Sequence, residues 1–453
     1  MSRRTSTRPR VSSSASSYSV DLSEAIRRFL PHSGLALMAD GQKLRWVPRM
    51  LVICAILMTW DLADLLGDAF ERARGVLVSI YSTRRRPGGS YGGFMSMLAR
   101  HSAKHLSLLM PALRGQVREL GQSSGCWTID GWCAFGVDGS RIECPMSAAN
   151  EEAFGIAGKK KTGPQQFLTT LFHAGSGLIW DFRRGDARAS ERSHLLEMLE
   201  DLPPEALLLA DAGFTGYEFL QKVLEGGRSF VVRVGSNVQL LLKLGWCCQE
   251  REGVVYLWPH RAMRRKQPPL VLRLITLIDG RNRRIDLLSN VLDEKVLPDA
   301  TALTLYRRRW GVEVIYRSLK QTMGKRKLRC DAPANAVVEL QWSVMGLWLL
   351  GLMSVSRIVE RGERPGNWSV AASLRVVRRG MDGMLRRGLR LAQSLSEALG
   401  EAVKDDYLRT GSKQSRHWPN KKQDSPPGPP RARMADESQI QLAAELKEKR
   451  RDA

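Results

Sequence analysis

Residues 206–214 have the sequence ALLLADAGF. The five apolar residues at 206–210 follow Pro203 and Pro204 without any polar alternation, which is typical of a strand buried on both faces of a parallel sheet. Asp211 stands where this strand ends. Ligands of open α/β sheets bind near the carboxyl ends of the strands, so this position makes Asp211 a candidate site residue.

A second apolar run ends in the same way. Residues 134–137 (AFGV) lead directly into Asp138-Gly139-Ser140. An aspartate after a strand is most often a turn residue, so either aspartate alone is a weak signal. Two of them at the ends of strands indicate one shared site at an edge of the sheet.

The region from about residue 126 to residue 328 consists of short apolar runs between turns that contain Gly and Pro. Strand-like and helix-like runs follow one another there, which predicts a mixed α/β sheet with helices on its faces. Residues 236–298 contain strand-like runs, so we expect a β-rich insertion. The predicted strands are 134–137, 167–172, 178–182, 206–210, 230–234, 238–244, 254–258, 270–278 and 285–292, and the predicted helices are 190–202 and 217–224.

Residues 299–323 are predicted to form one helix with a polar stripe. The stripe consists of Tyr306, Arg309, Glu313 and Lys320, which share one face over about four turns of a continuous helix. A solvated surface with an Arg–Glu pair worth about 0.3–0.5 kcal/mol is the ordinary explanation of such a face. This polar face, however, follows two strand-ending aspartates in the sequence. That order favours a functional site in which Glu313 is a third carboxylate.

The chain carries a large positive charge. Its 453 residues include 70 Lys and Arg against 46 Asp and Glu, a formal net charge of +24, and 43% are hydrophobic. This is the composition of a globular protein with a core, and the charge favours a polyanionic partner such as nucleic acid or an anionic membrane surface. The seven cysteines include no C-x2-C pair, so we expect free thiols in the cytoplasm.

Two apolar runs, at 50–60 and 340–356, are candidates for membrane spans. Both are shorter than the roughly 20 residues that cross a bilayer. We therefore expect buried helices at these positions and no membrane partner.

The motifs resemble those of a known family. The Asp138 motif, the Asp211 motif and the Tyr-Arg-Glu-Lys helix resemble the DDE transposases of bacterial insertion sequences, and the helix signature is that of the IS-four family. Residues 144–155 are similar to the stretch that follows the first aspartate in that family, and the resemblance covers roughly residues 125–355. Ala212 departs from it, because the family usually has Arg there; the departure leaves the Asp211 carboxylate intact.

The resemblance implies a ribonuclease-H-like fold with the β-rich insertion between the second and third carboxylates. In that fold Asp138 and Asp211 come from adjacent strands and Glu313 from a facing helix. These three carboxylates would be the catalytic and metal-binding residues for two Mg²⁺ ions, which Mn²⁺ can replace, because such hard cations prefer oxygen ligands. The ions would clamp the attacking and leaving oxygens of a displacement at phosphorus.

The activity implied by the resemblance is cut-and-paste DNA transposition. The enzyme would cut DNA at the ends of its mobile element, and the freed 3′-hydroxyl would attack the opposite strand or the target DNA. Tyr306, Arg309 and Lys320 would bind backbone phosphates. The implied partners are double-stranded DNA, as terminal inverted repeats and as target, and a second copy of the chain in a synaptic dimer. The implied location is the bacterial cytoplasm, at the nucleoid.

Two other functions stay open. A host nuclease or resolvase of the same fold would use the same metals without joining strands. A regulator derived from a transposase would bind DNA without cutting it, although the three carboxylates favour an active enzyme. Inverted repeats beside the coding sequence would favour the transposase.

Other residues have two interpretations each. Asp130 also precedes a glycine and competes with Asp138 as the first carboxylate, but Asp138 follows the clearer strand. Trp246 and Trp258 in the insertion are, by resemblance, candidates for stacking on a flipped base, against the alternative of ordinary packing. Basic side chains that are either DNA contacts or solvated surface stand at 159–161 and at Arg375, Arg379, Arg386 and Arg390.

The composition and hydrophobic pattern of the sequence divide the chain into five regions. We expect a disordered basic arm, a helical domain that binds DNA ends, the catalytic domain with its insertion at about 236–298, a helical C-terminal region, and a disordered basic tail with a short helix. In order, these regions are residues 1–18, 19–122, 123–330, 331–409 and 410–453.

Overall fold

A ten-stranded mixed sheet, with helices before and after it in the chain, forms the fold in the computed structural model. The structure describes residues 14–37, 45–81, 86–158, 163–236, 238, 241–245, 251–278, 284–385, 393–404 and 428–451. The predicted mixed α/β sheet with helical flanks is confirmed. The lysines at 159–161 and residues 1–13 of the predicted arm lie outside the described residues.

The helices before the sheet are α1 (Ser14–Phe29), α2 (His32–Leu37), α3 (Pro48–Trp60), α4 (Leu66–Ile80) and α5 (Tyr91–Ser123). Helix α1 thus begins inside the predicted arm. Helix α3 is apolar on almost every side because it is buried against α4 and α5. Helix α5 begins at Ser90, whose hydroxyl accepts a hydrogen bond from the Gly93 N–H, and it continues through Pro111.

The centre of the sheet is built from β1 (Cys133–Glu143), α6 (Ala148–Phe154), β2 (Gln165–His173), β3 (Leu178–Gly185), α7 (Glu191–Met198), β4 (Ala206–Ala210), α8 (Tyr217–Glu225) and β5 (Ser229–Val234). Strand β1 is antiparallel to β2, which is antiparallel to β3. On its other side β1 is parallel to β4, and β4 is parallel to β5. All five residues of β4 are buried, in agreement with its unbroken apolar sequence.

The predicted β-rich insertion contains β6 (Leu241–Lys243), β7 (Val254–Leu257), α9 (His260–Arg264), β8 (Leu270–Ile278) and β9 (Arg284–Ser289). These strands form an antiparallel series that joins the central sheet, because β9 pairs with β5. The insertion is therefore an extension of the same sheet.

The prediction of one continuous helix over residues 299–323 is wrong. The chain forms α10 (Asp299–Arg308) and α11 (Gly311–Arg317), and Ser318–Thr322 continue as a π-helical turn. The chain turns at Arg309 and Trp310, and Gly311, which follows, approaches the Phe172 ring so closely that a side chain at this position would overlap it. Turns of π-helix are frequent at functional sites.

Helix α12 (Pro333–Glu360) is the longest apolar segment of the described residues. Its length and composition would allow it to cross a membrane, but 89% of its most apolar window is buried inside the fold. It packs against α3, α5 and β3. This agrees with the prediction of a buried core helix.

After α12 the chain forms α13 (Val370–Leu385), α14 (Leu395–Gly400), β10 (Arg433–Met434) and α15 (Glu437–Arg451). The end of the predicted disordered tail is ordered, because β10 pairs in parallel with β6 at the edge of the sheet. Helix α15 lies where a short helix was predicted, and its Ala443 is buried. Four arginines near the C-terminus were named above as either DNA contacts or solvated surface. Two of them, Arg386 and Arg390, lie outside the described residues.

Candidate active site

Asp138 and Asp211 are placed by neighbouring parallel strands. Gly136 of β1 is paired with Leu209 of β4. Asp138 lies two residues further along β1, and Asp211 lies two residues after Leu209, just beyond the end of β4. The carboxylates therefore emerge side by side at one level of the sheet. The sequence placed Asp138 after the end of its strand, but β1 continues to Glu143 because residues 138–143 stay paired with β2.

Local hydrogen bonds fix both aspartates. The Asp138 Oδ1 atom accepts the N–H of Gly139 at 2.8 Å, and the Asp211 Oδ1 atom accepts the N–H of Gly213 at 2.8 Å. Asp211 caps a short 3-10 turn that begins at Ala212. Each carboxylate is therefore held by the backbone that follows it, which leaves its second oxygen free of these local bonds.

Glu313 is linked to Asp138 through Arg309. Arg309 stands between α10 and α11, and its Nη2 atom lies 3.2 Å from Glu313 Oε1 while its Nη1 atom lies 3.7 Å from Asp138 Oδ2. Burial opposes the charge on Arg309, but the neighbouring Tyr306 and Asp138 outweigh it and raise the pKa of the guanidinium. One cation therefore joins the first and third predicted carboxylates.

The other residues of the Tyr-Arg-Glu-Lys signature have different surroundings. The Tyr306 side chain is buried, and the Arg309 guanidinium lies over its ring, 5.8 Å from the centroid. Lys320 Nζ donates a hydrogen bond to Ser140 Oγ at 2.8 Å, and burial lowers the pKa of this lysine. Lys320 belongs to the π-helical turn. The signature residues therefore face the sheet from three successive segments, which are α10, α11 and the π-helical turn.

Burial and neighbouring charges perturb Asp138. Burial raises the pKa of its carboxyl to about 6, and the negative charges of Asp211 and Glu313 act in the same direction. The N–H of Gly139 and the Arg309 cation oppose the shift. Burial is therefore the main cause of the raised pKa of Asp138, and the neighbouring negative charges add to it.

The sequence did not point to Tyr316, which anchors α11 on the sheet. Its hydroxyl lies 2.7 Å from the carbonyl oxygen of Asp138 and 2.9 Å from that of Leu168. A tyrosine three residues after a glutamate gives no local signal, because the acceptors belong to β1 and β2.

Two residues at the start of α7 were also missed. Burial raises the pKa of Glu191 to about 7, and the charges of Asp211 and Asp138 add to the effect. Arg192 donates to the carbonyl oxygens of Gly213 and Thr215 at 2.6 and 2.9 Å, which ties α7 to the loop after Asp211. The predicted helix at 190–202 contained both residues, but its orientation towards the site depends on the fold.

Within the part of the chain that the structure describes, no three His, Cys, Asp or Glu side chains converge as a ready-made metal cage. The side chains around Asp138 are instead arranged about the Arg309 guanidinium. A carboxylate set that already gathers around one cation has the donor chemistry for hard divalent ions.

Two other predicted residues, Asp130 and Trp258, lie away from this site. Asp130 is exposed in the turn before β1, at the opposite end of the strand from Glu143. Trp258 is only 2% exposed and donates its indole N–H to the Gln267 carbonyl, so its ring is part of the core and the stacking interpretation is corrected to ordinary packing. Trp246 lies outside the described residues. Trp310, next to Arg309, has a 55% exposed ring and was not singled out.

Comparison with known proteins gives matches over the same region. Residues 133–349 match the family model of the transposase DDE domain. The chain is 25% identical over 265 residues to the transposase InsG for insertion sequence element IS4 of Escherichia coli (strain K12), an alignment that covers 55% of this chain and 59% of that relative. It is also similar, with 11% identity and a TM-score of 0.42 over 90% of this chain and 88% of the other, to the piggyBac transposase in a cryo-EM synaptic complex with hairpin DNA. The family match and the InsG similarity support a DDE transposase of the IS4 type.

Proposed function

We propose that this protein is a DNA transposase that cuts DNA at the ends of its mobile element and joins the freed ends to target DNA. The observation that carries the proposal is the pair Asp138 and Asp211, brought side by side by the parallel strands β1 and β4, with Glu313 linked to Asp138 through Arg309. All of these residues lie within the stretch that matches the transposase DDE domain.

The proposed catalytic core is a ribonuclease-H-like sheet. The strand order β3, β2, β1, β4, β5, with the first three antiparallel and the last three parallel, supports this assignment. Helix α7 connects β3 to β4 and helix α8 connects β4 to β5, as helices commonly do between parallel strands. Strands β6 to β9 are inserted between Asp211 and Glu313 along the chain and extend this sheet.

Asp138, Asp211 and Glu313 would hold the divalent cations, for which we propose Mg²⁺. Carboxylate oxygens suit this hard ion, and the Arg309 guanidinium marks a place where the site already favours positive charge. Bound Mg²⁺ supplies activation of a nucleophile and charge stabilisation at phosphorus. Cation binding requires Arg309 to release at least one of its two carboxylate partners.

Arg309 and Lys320 would hold DNA phosphates beside the carboxylates. Once released, Arg309 presents a planar fork that matches two phosphate oxygens, whereas Lys320 acts as a point charge. Tyr306 packs under Arg309, so we assign it to orienting the guanidinium in addition to the phosphate contact expected from the signature. Exposed cations that extend this surface are Arg141, Arg307, Arg308, Arg326 and Lys327.

We also propose that two copies of the chain bring two element ends together in one synaptic complex. Strand joining requires that both ends meet one target, and a dimer of identical subunits is the simplest symmetric arrangement for this purpose.

Strand joining distinguishes a transposase from a nuclease. Purified protein, linear DNA carrying the inverted repeats that flank the coding sequence, a supercoiled target plasmid and Mg²⁺ are incubated together. We expect a covalently joined product that begins at the 3′ end of the repeat. Double-strand breaks without any joined product would contradict transposition and favour a nuclease. DNA binding without cutting would favour the regulator.

A further inference from the structure

Glu191, which lies outside the predicted set of three carboxylates, is directed at the space between Asp138 and Asp211. It is the first residue of α7, after the cap Ser190. The charges of both aspartates act on its carboxyl group. It therefore approaches the site from a segment that neither the aspartate motifs nor the Tyr-Arg-Glu-Lys signature includes.

Two glycines make room for this carboxylate. A Cβ atom on Gly139 would lie 2.8 Å from Glu191 Oε2, and a Cβ atom on Gly213 would lie 2.6 Å from Glu191 Oε1. Each of these glycines also donates the N–H that holds a catalytic aspartate. The two oxygens of Glu191 thus contact the backbone that follows Asp138 and the backbone that follows Asp211.

Among the described residues, the Glu191 carboxylate has no direct hydrogen-bond or ion-pair partner, although the charges of Arg192 and Arg141 act on it and partly offset the rise of its pKa. The two nearest arginines are turned elsewhere, because Arg192 binds the carbonyls of Gly213 and Thr215 and Arg141 contacts the Ala187 carbonyl and the Phe167 ring. A half-buried carboxylate beside two others is unfavourable unless a cation neutralises it.

We propose that Glu191 is a fourth carboxylate of the divalent-cation site and faces the ion held by Asp138 and Asp211. The inference rests on the proposed metal-dependent function. The close approach of Glu191 leaves no room for a side chain at position 213, and at position 139 it adds to the crowding by the Phe167 ring. Arg192, the next residue, positions the Asp211 loop against the same helix.

Titration of the full-length protein with Mn²⁺ alone, followed by calorimetry, tests the inference without reference to activity. The variants are Glu191→Gln, Asp138→Asn and, as matched control on the same helix, Glu197→Gln, whose side chain is 59% exposed. We expect E191Q to weaken Mn²⁺ binding by about 10–100-fold, the range seen when groups that support a metal site are removed. E197Q should bind Mn²⁺ like the wild type, and D138N should lose binding.

Thermal unfolding separates a metal-site role from a structural role. Without metal, E191Q should unfold at a higher temperature than the wild type, because the change removes repulsion between acids. When Mn²⁺ is added, the unfolding temperature of the wild type should rise more than that of E191Q. Lower stability of metal-free E191Q, or wild-type Mn²⁺ affinity in E191Q when D138N has lost it, would overturn the inference and leave the proposed function standing. Absence of Mn²⁺ binding by the wild type would overturn both.

Discussion

At the scale of single residues, charge balance explains the site. Arg309 neutralises Asp138 and Glu313 in the metal-free protein, while Asp211 has a backbone N–H and Glu191 has no donor among the described residues. Burial is the main cause of the raised pKa values of Asp138 and Glu191, and the neighbouring acids add to it. The proposed divalent cations would relieve the cost of ionising these carboxyls together.

These raised pKa values predict how the stability of the metal-free protein depends on pH. The folded-state pKa values are about 6 for Asp138 and about 7 for Glu191, above the ordinary values of 3.8 and 4.5. At a pH between the ordinary and the folded-state pKa values, the folded protein binds more protons than the unfolded chain. Protonation of these two carboxyls therefore contributes fully to stability below about pH 4, and this contribution is lost as the pH rises through the folded-state pKa values.

Urea unfolding in the presence of a chelator measures this effect. From pH 5 to pH 7.5 the wild type should lose stability relative to the double variant D138N/E191Q, which no longer carries either titrating group. Parallel changes in the two proteins would show that these carboxyls are not perturbed. Wild-type stability should recover when Mn²⁺ is added at pH 7.5, because ions that bind only the folded state stabilise it.

At the scale of secondary-structure elements, the junction between α10 and α11 controls the position of Glu313. Gly311 packs against the Phe172 ring of β2, one turn before the anchor of Tyr316 on Asp138 and Leu168. The contact brings α11 close to β1 and β2. A side chain at position 311 would push α11, and with it Glu313, away from the sheet.

We therefore predict that Gly311→Ala destabilises the protein by about 1–3 kcal/mol, the usual cost of overpacking. Gly115 lies inside α5 with nothing within 4 Å of an added Cβ atom. The control Gly115→Ala should stabilise the protein by up to about 1 kcal/mol, because alanine favours the helix. Chemical denaturation measures both changes, and similar effects of the two substitutions would contradict the role given to Gly311.

Local patterns predicted most elements but not their assembly. The limits of β4 and β8 agree with the predicted runs 206–210 and 270–278, because their apolar sequences are bounded by clear turn residues. The break before Gly311 was not predicted; the close approach of Gly311 to the Phe172 ring joins segments that lie far apart in the sequence, so no local pattern reveals it. Strand β10 was missed because its two residues are recruited by the open edge of β6.

At the candidate site, the sequence patterns named some of the residues that the structure brings close together and missed others. The two aspartates and the helix signature indicated three carboxylates and two cationic side chains, Arg309 and Lys320. The structure brings Asp138, Arg309 and Glu313 into contact. Glu191 was not found, because a glutamate in the first turn of a helix is common and stabilising there. Trp258 was selected for its aromatic ring, although burial in the insertion removes that ring from solvent.

At the scale of the whole molecule, the chain carries a net charge of +24, which favours a polyanionic partner. Arg141 on β1, and Arg326 and Lys327 after the π-helical turn, are exposed. Lys320 contacts β1 through Ser140.

The salt dependence of DNA binding tests whether Lys320 contacts a phosphate. Each phosphate contact contributes about 0.9 to the slope of log affinity against log salt concentration. Lys320→Ala should reduce the slope by about that amount, whereas Lys222→Ala, at an exposed lysine of α8, should leave it unchanged. Equal slopes for wild type and K320A would remove Lys320 from the DNA surface.

The most direct measurement is single-turnover cleavage of end-labelled DNA by four purified variants in Mg²⁺. Asp138→Asn, Asp211→Asn and Glu313→Gln should bind the DNA end but cut it no faster than background, because each removes a charged ligand from the reacting centre. Asp130→Asn, at the exposed rival aspartate before β1, should cut like the wild type. Cleavage retained by any of the first three variants, or lost in the Asp130 variant alone, would contradict the assignment of Asp138, Asp211 and Glu313 as the catalytic carboxylates.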